Sequence, residues 1–180
     1  MGKIIYIHGM GGSGNSFKSI SLRERFGTDA VESPTVPTDP IETEKIIDKI
    51  VQENKEFPLV FVGSSLGGFW ANYFGQKYDA PCILVNPAPT PSIALKKYGV
   101  PQSEIDGYIP LEKKLYFRNT NGALINVFLA KDDDIVNFKE SIDAYPYLRF
   151  IKMFPDGGHR LKEHWPDVMD RVAELLDGKR

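Results

Sequence analysis

A serine hydroxyl is a poor nucleophile at neutral pH. It attacks an acyl carbonyl efficiently only beside a base, and the base works best when a third group orients it. In this 180-residue sequence Ser65 stands at the centre of Gly63-Ser64-Ser65-Leu66-Gly67, which fits G-x-S-x-G. Four apolar residues, Leu59 to Val62, precede the motif, and Leu66, Phe69, Trp70, Tyr73 and Phe74 follow at helical spacing. A buried strand, a glycine-flanked serine and a helix are the parts of a nucleophile elbow. Such a turn brings the residues two before and two after the serine so close together that a Cβ would clash. Ser65 would then stand at the mouth of a sheet, with the Leu66 N–H and the helix N-terminus beside a developing negative charge.

The base must come from three histidines. His159 ends the glycine-bearing run Pro155-Asp156-Gly157-Gly158-His159, directly after an apolar stretch at 148–154. His164 falls where the first turn of the last helix is expected and reads as a surface or capping residue. His8 ends the first strand and reads as a residue that shapes the loop there. The acid is expected in Ala130-Lys131-Asp132-Asp133-Asp134-Ile135-Val136, after a strand at 124–129. One or two of these aspartates should cap a helix that begins near Val136. Asp133 precedes Asp134-Ile135-Val136 and is assigned as the acid. Asp132 and Asp134 stand as substitutes, and Asp156 as a more distant candidate. The order Ser65, aspartate, His159 is that of α/β-hydrolases. A second oxyanion donor is expected at Met10, just after His8-Gly9. Met10, Phe69 and the 88–122 segment are expected to line an acyl pocket.

The elements that must position these residues alternate along the chain. Ile4 to Ile7 reads as a strand, followed by a glycine-rich loop and a helix over 16–25. A weak strand at 29–32, a stiff proline loop and an amphipathic helix from Ile41 to Val51 lead to the elbow strand. Cys82 to Val85 is a further strand. The 88–122 segment lacks clean periodicity, carries four prolines, and reads as short helices folded over a pocket as a lid-like insertion. Strands at 124–129 and 148–154 precede a last helix bearing Leu161, Trp165, Val168, Met169, Val172, Leu175 and Leu176 on one face. Apolar strands alternating with helices predict an α/β fold: a mostly parallel sheet of about six strands, helices on both faces, in a single domain over 1–180.

Composition narrows the function class. Hydrophobic and charged fractions of 42% and 26% suit a soluble globular domain. A formal net charge of -2, without basic runs, argues against nucleic-acid binding. No apolar run reaches the length of a membrane span, and the N-terminus shows no secretory h-region. The single cysteine, Cys82, fits a reducing compartment and a small core side chain. A cytoplasmic protein is expected. Scattered histidines without H-x-H or H-E-x-x-H suggest no metal site, and no cofactor is implied.

Together, His8-Gly9-Met10, Gly63-Ser64-Ser65-Leu66-Gly67-Gly68, Asn86-Pro87-Ala88, the acidic turn at Asp133 and Gly158-His159 resemble the small YqiA/YcfP-like esterases of the α/β-hydrolase superfamily. The resemblance covers nearly the whole chain. It implies a compact α/β-hydrolase fold lacking the superfamily's first two strands, with a Ser-Asp-His triad acting on small-molecule ester or thioester substrates of modest acyl groups. The run of three aspartates departs from the family pattern.

Two rival readings come from other classes. Gly9-Met10-Gly11-Gly12-Ser13-Gly14 fits G-x-G-x-x-G, with Glu32 about twenty residues on, the fingerprint of a dinucleotide site. That reading leaves the elbow, the acidic turn and the Gly158-His159 loop unexplained. The other rival is a catalytically silent hydrolase fold used for protein binding.

Overall fold

The computed structural model describes residues 2–118, 124–145 and 148–178. Strands β1 (Lys3–Ile7), β2 (Val31–Glu32), β3 (Leu59–Ser64), β4 (Cys82–Val85), β5 (Ile125–Ala130) and β6 (Phe150–Phe154) form one sheet. Their order is β2-β1-β3-β4-β5-β6, and every pairing is parallel. The central strands are mostly apolar on both faces, as strands covered by two helix layers must be, with buried Asn126 of β5 as an exception that accepts from Arg171 Nε of the last helix at 2.9 Å.

Alternation divides the core in two. Ile5, Ile7, Phe61, Leu84 and Val127 point to the face covered by α2 (Pro40–Glu53), α3 (Leu66–Tyr78) and α5 (Gln102–Arg118). Ile4, Tyr6, Val62, Ile83 and Phe128 point to the face covered by α1 (Phe17–Phe26) and α7 (Trp165–Leu176). Two short elements complete the described helices, α4 (Pro91–Ala94) and α6 (Phe138–Ala144). Cys82 is fully buried in β4 and burial pushes its thiol pKa up.

Strand order sets the site. From β1 the chain moves outward to β2 and then returns to the other side of β1 with β3, so the order reverses between β1 and β3. Ligand groups collect at the carboxyl ends of strands beside such a reversal. The register pairs Ile7 with Gly63, Ser64 with Val85, Val85 with Phe128, and Ala130 with Phe154. Every loop that carries a candidate residue therefore leaves the sheet along one edge.

Three local expectations are corrected. The 88–122 segment is not a set of short helices alone: after α4 and a 3₁₀ turn it forms the 17-residue α5, with Pro110 inside it. Ile105, Tyr108, Leu111 and Leu115 are its buried stripe, and the proline obscured that periodicity. Residues 119–122 of the segment, and the side chains of Tyr116 and Phe117, lie outside the described residues. A helix does begin near Val136, α6 at Phe138, but Asn137 caps it by accepting from the Lys139 N–H at 3.0 Å, so none of the three aspartates has that role. The last helix begins at Trp165 rather than Leu161, because Leu161 has a left-handed φ of 49° that an α-helix does not admit.

Candidate active site

Ser65 joins β3 to α3 with φ 57° and ψ -121°, a conformation costly for a residue with a side chain. The surroundings hold it there. Its N–H donates to the Val85 carbonyl at 3.0 Å, and its own carbonyl accepts from Gly68 at 2.9 Å and Ala88 at 3.0 Å. A Cβ on Gly63 would run into the Gly67 carbonyl, and one on Gly67 into the Ile7 carbonyl. Both glycines are thus required by the close approach of three backbone segments.

His159 and Asp133 meet across the ends of β5 and β6. The Asp133 carboxylate lies 2.8 Å (Oδ2) and 3.0 Å (Oδ1) from His159 Nδ1. Its side chain is 1% exposed, while that of His159 is 21% exposed. Asp133 Oδ1 also accepts from the Ile135 N–H at 2.8 Å and the Val136 N–H at 3.0 Å. Burial alone would raise the Asp133 pKa, but the His159 ring and these two backbone donors outweigh it and hold the carboxyl below its ordinary value. With Nδ1 engaged by the carboxylate, Nε2 is left to face other groups.

The neighbouring aspartates divide the remaining work. Asp132 Oδ1 accepts from the Gly158 N–H at 2.8 Å and braces the histidine loop. Asp134 is exposed on the pocket wall. Asp156 bonds His164 rather than His159, at 2.7 Å from Nε2. His164 occupies the cap position of α7 without a capping bond and stacks on Phe154, with ring centroids 3.9 Å apart.

A cavity of about 960 Å³ opens at this edge of the sheet, lined among others by Met10, Ser65, Leu66 and His159. Ser65 Oγ and the His159 ring share the cavity without a hydrogen bond between them, a contact that in ligand-free sites often closes only around substrate. The Leu66 N–H opens α3 and has no acceptor within its helix. Gly9 runs so near Ser65 that a Cβ on it would lie 3.1 Å from the serine Cβ, which brings the following Met10 to the same place. His8 is 5% exposed and fixed at both ring nitrogens: Nε2 accepts from the Val36 N–H at 3.0 Å, so Nδ1 donates to the Gly9 carbonyl at 2.7 Å. Ala88, Pro91, Leu95 and Tyr98 from the 88–122 segment line the cavity. Phe69 does not; it is 1% exposed and packs edge-on against Tyr108 at 5.6 Å inside the α3–α5 layer.

Two contributors went unassigned from sequence. Asn86, at the end of β4 with φ 41°, is 1% exposed. It donates to the Gly158 and His159 carbonyls at 3.0 and 3.1 Å and accepts from Ala130 at 2.8 Å, tying the histidine loop to β5. Its signal was a polar residue directly after an apolar strand and before Pro87. The second is Lys18, buried beside Ser64 Oγ at 2.8 Å. Nothing in a helical pattern marks a lysine as buried.

The glycine loop borders the same cavity through Gly9, Met10 and Gly12. A capping box closes the N-terminus of α1: the Ser16 N–H donates to Ser19 Oγ at 2.8 Å, and the Ser19 N–H to Ser16 Oγ at 3.4 Å. A Cβ on Gly14 would run into the backbone of Ser33, so the loop is packed from behind. Among the described residues, no group of three or more His, Cys, Asp or Glu is placed to hold a metal ion, and no helix is long and apolar enough to cross a membrane.

The profile of the uncharacterised protein family UPF0227 matches residues 3–175. The chain belongs to that family. This agrees with the resemblance to YqiA/YcfP-like proteins drawn from the motifs. Three solved structures show the same α/β-hydrolase fold over almost the whole chain. Alpha/beta hydrolase domain-containing protein 10 from mouse is 17% identical, with 99% of this chain and 90% of that one covered at a TM-score of 0.69. Est1E from Butyrivibrio proteoclasticus, solved with ferulic acid bound, is 14% identical, covering 98% and 90% at 0.74. A monoacylglycerol lipase from Paleococcus ferrophilus is 14% identical, covering 98% and 96% at 0.67.

Proposed function

We propose that this UPF0227 member is a serine hydrolase that cleaves carboxylic ester or thioester bonds of small to medium acyl substrates. The observation that carries the reading is the buried Asp133 on His159 Nδ1, in the same cavity as a serine held at the strained elbow. Ser65 Oγ attacks the acyl carbonyl and passes its proton to His159 Nε2. Asp133 keeps the imidazole oriented and stabilises its charge. The Leu66 and Met10 N–H groups receive the oxyanion. Collapse of the tetrahedral species returns the proton to the departing alcohol or thiol. Water, deprotonated by the same histidine, then releases the acid and regenerates Ser65.

The same proposal treats the chain as one domain with the 88–122 segment as a lid-like wall, acting in the cytoplasm on small molecules. The family match over 3–175 supports the single domain, and the apolar side chains that α4 and its neighbours turn into the cavity support the lid-like wall. Est1E and the lipase have names that point to the same reaction class.

The test is the intact mass of the protein after incubation with a fluorophosphonate, followed by peptide mapping. One adduct on Ser65 is expected, absent in Ser65→Ala and strongly reduced in His159→Ala, with Ser65→Ala folded and inactive on esters. No adduct on folded protein, or ester turnover retained in Ser65→Ala, would overturn the assignment.

A further inference from the structure

Lys18 is placed for a task that the acyl-transfer steps leave unassigned. It lies in the first turn of α1, is 8% exposed, and lines the same cavity as Ser65 and His159. An ammonium has three N–H donors. One of them finds Ser64 Oγ at 2.8 Å, and the charge also sits 5.2 Å from the Trp165 ring centroid. Among the described residues no carboxylate forms an ion pair with it. Burial pushes the Lys18 pKa down to about 8, reinforced by nearby Arg160 and opposed by Asp133. The fold thus buries a cation that feels Asp133 only at a distance and has no carboxylate in ion-pair contact, which is unfavourable unless something else supplies one.

The cavity around it is electropositive: Lys18, Lys97, Arg160 and Lys162 line it against Asp134 and Glu163. It also has two unlike ends. Tyr6 and Lys18 lie on the α1/α7 side, with Tyr6 and Trp165 in one core. Leu66 and Leu95 lie on the side of the α3 core, next to exposed Tyr98 and Ile135. Ser65 stands between the ends.

Building on the serine-hydrolase reading, we propose that Lys18 is the receptor for a carboxylate on the substrate, so that the preferred ester or thioester is a monoanion whose charged end and apolar chain extend to opposite sides of the scissile carbonyl. Of the four lining cations Lys18 alone is buried, and one buried cation balances one negative charge, which selects a carboxylate over a phosphate dianion. Lys18 is then a specificity-determining residue.

Matched substrates test this. Monohexyl glutarate is compared with hexyl pentanoate, and 3-(hexanoyloxy)propanoate with propyl hexanoate. The first pair places the carboxylate on the acyl side, the second on the leaving group. In one pair the anionic member is expected to have the higher kcat/KM, by about 10-fold to 100-fold, the range for one charge-assisted hydrogen bond. Lys18→Met should collapse that ratio, and Lys18→Arg should keep part of it. Thermal unfolding separates recognition from packing: removing a buried charge should leave the Lys18→Met midpoint unchanged or raised. A ratio of one or less in both pairs for the wild-type protein, or a ratio that survives Lys18→Met, would overturn the proposal. So would a lowered midpoint with equal losses on both members of a pair. Faster turnover of a phosphate-bearing ester than of its carboxylate match would overturn the choice of carboxylate. Fluorophosphonate labelling of Ser65 in the same preparation keeps the two readings apart. Labelling without anion preference removes this inference alone, and failure to label removes the hydrolase reading beneath it.

Discussion

Two histidines five residues apart in this protein each pair with an aspartate, at nearly equal bond lengths. His159 meets Asp133 at 2.8 Å and His164 meets Asp156 at 2.7 Å. The histidines are also similarly exposed, at 21% and 25%, and the difference lies in the acids and the ring nitrogens. The Asp133 side chain is 1% exposed and that of Asp156 is 73% exposed. Asp133 engages Nδ1 and leaves Nε2 toward the cavity; Asp156 engages Nε2 of a ring already stacked on Phe154. Asp133 is further held by two backbone N–H groups from the turn that follows it. Distance alone therefore does not distinguish the pair proposed to work in catalysis from a surface pair. Burial of the acid and the choice of ring nitrogen do.

Exchanging the histidines should separate the pairs most widely. His159→Ala is expected to lower kcat for ester hydrolysis by about 10⁴-fold or more, as for other triad bases. His164→Ala should change it by no more than about twofold, because an exposed pair contributes little. Steady-state rates on one ester suffice, and comparable losses would erase the distinction. The acids should differ next. Asp133→Asn is expected to cost about 10²-fold to 10⁴-fold through the wrong tautomer, whereas Asp134→Asn and Asp156→Asn should stay within about twofold. If Asp134→Asn were the more damaging, the acid would move by one residue.

The smallest effect lies in the pH dependence of stability. The Asp133 pKa is lower in the folded protein than in the unfolded chain, so the folded state gains from its ionised form. That gain is fully present above the unfolded carboxylate value, near ~4, and is lost as pH falls through the lower folded value. Thermal midpoints of wild type and Asp133→Asn should therefore converge on acidification. A gap that stays constant with pH would mean that the bond to His159 does not depend on the carboxylate charge.

Much of this arrangement was legible in the sequence because it rests on local patterns. The elbow declares itself through Gly63 and Gly67, whose absent side chains are a steric necessity. The short, β-prone apolar runs at 4–7, 59–62 and 82–85, bounded by glycine or proline, fit strands covered on both faces. The acidic turn was legible as a place but not as a division of labour. Asp132, Asp133 and Asp134 differ in which backbone donors reach them across the sheet, and such long-range contacts leave no trace in spacing. The same reason hid Asn86, whose partners lie 44 to 73 residues away. Helix α5 was missed for the opposite reason: its stripe is local, but Pro110 reads as a breaker while structure on either side tolerates it. Lys18 was invisible because burial of a charge is decided by what covers it.

Strand β6 has one further consequence. It is the edge of the sheet, paired to β5 alone, and the loop bearing His159 hangs from its end. Ser65 instead sits on a strand flanked on both sides, with β1 and β4 as its neighbours. Edge elements open with less free energy than central ones. On warming, the histidine should part from the serine while most of the sheet is still intact. Loss of turnover should then precede loss of circular dichroism, and amides of β6 should exchange with deuterium before those of β3. Under the proposed hydrolase reading, catalysis would be a finer thermometer of the native state than secondary structure.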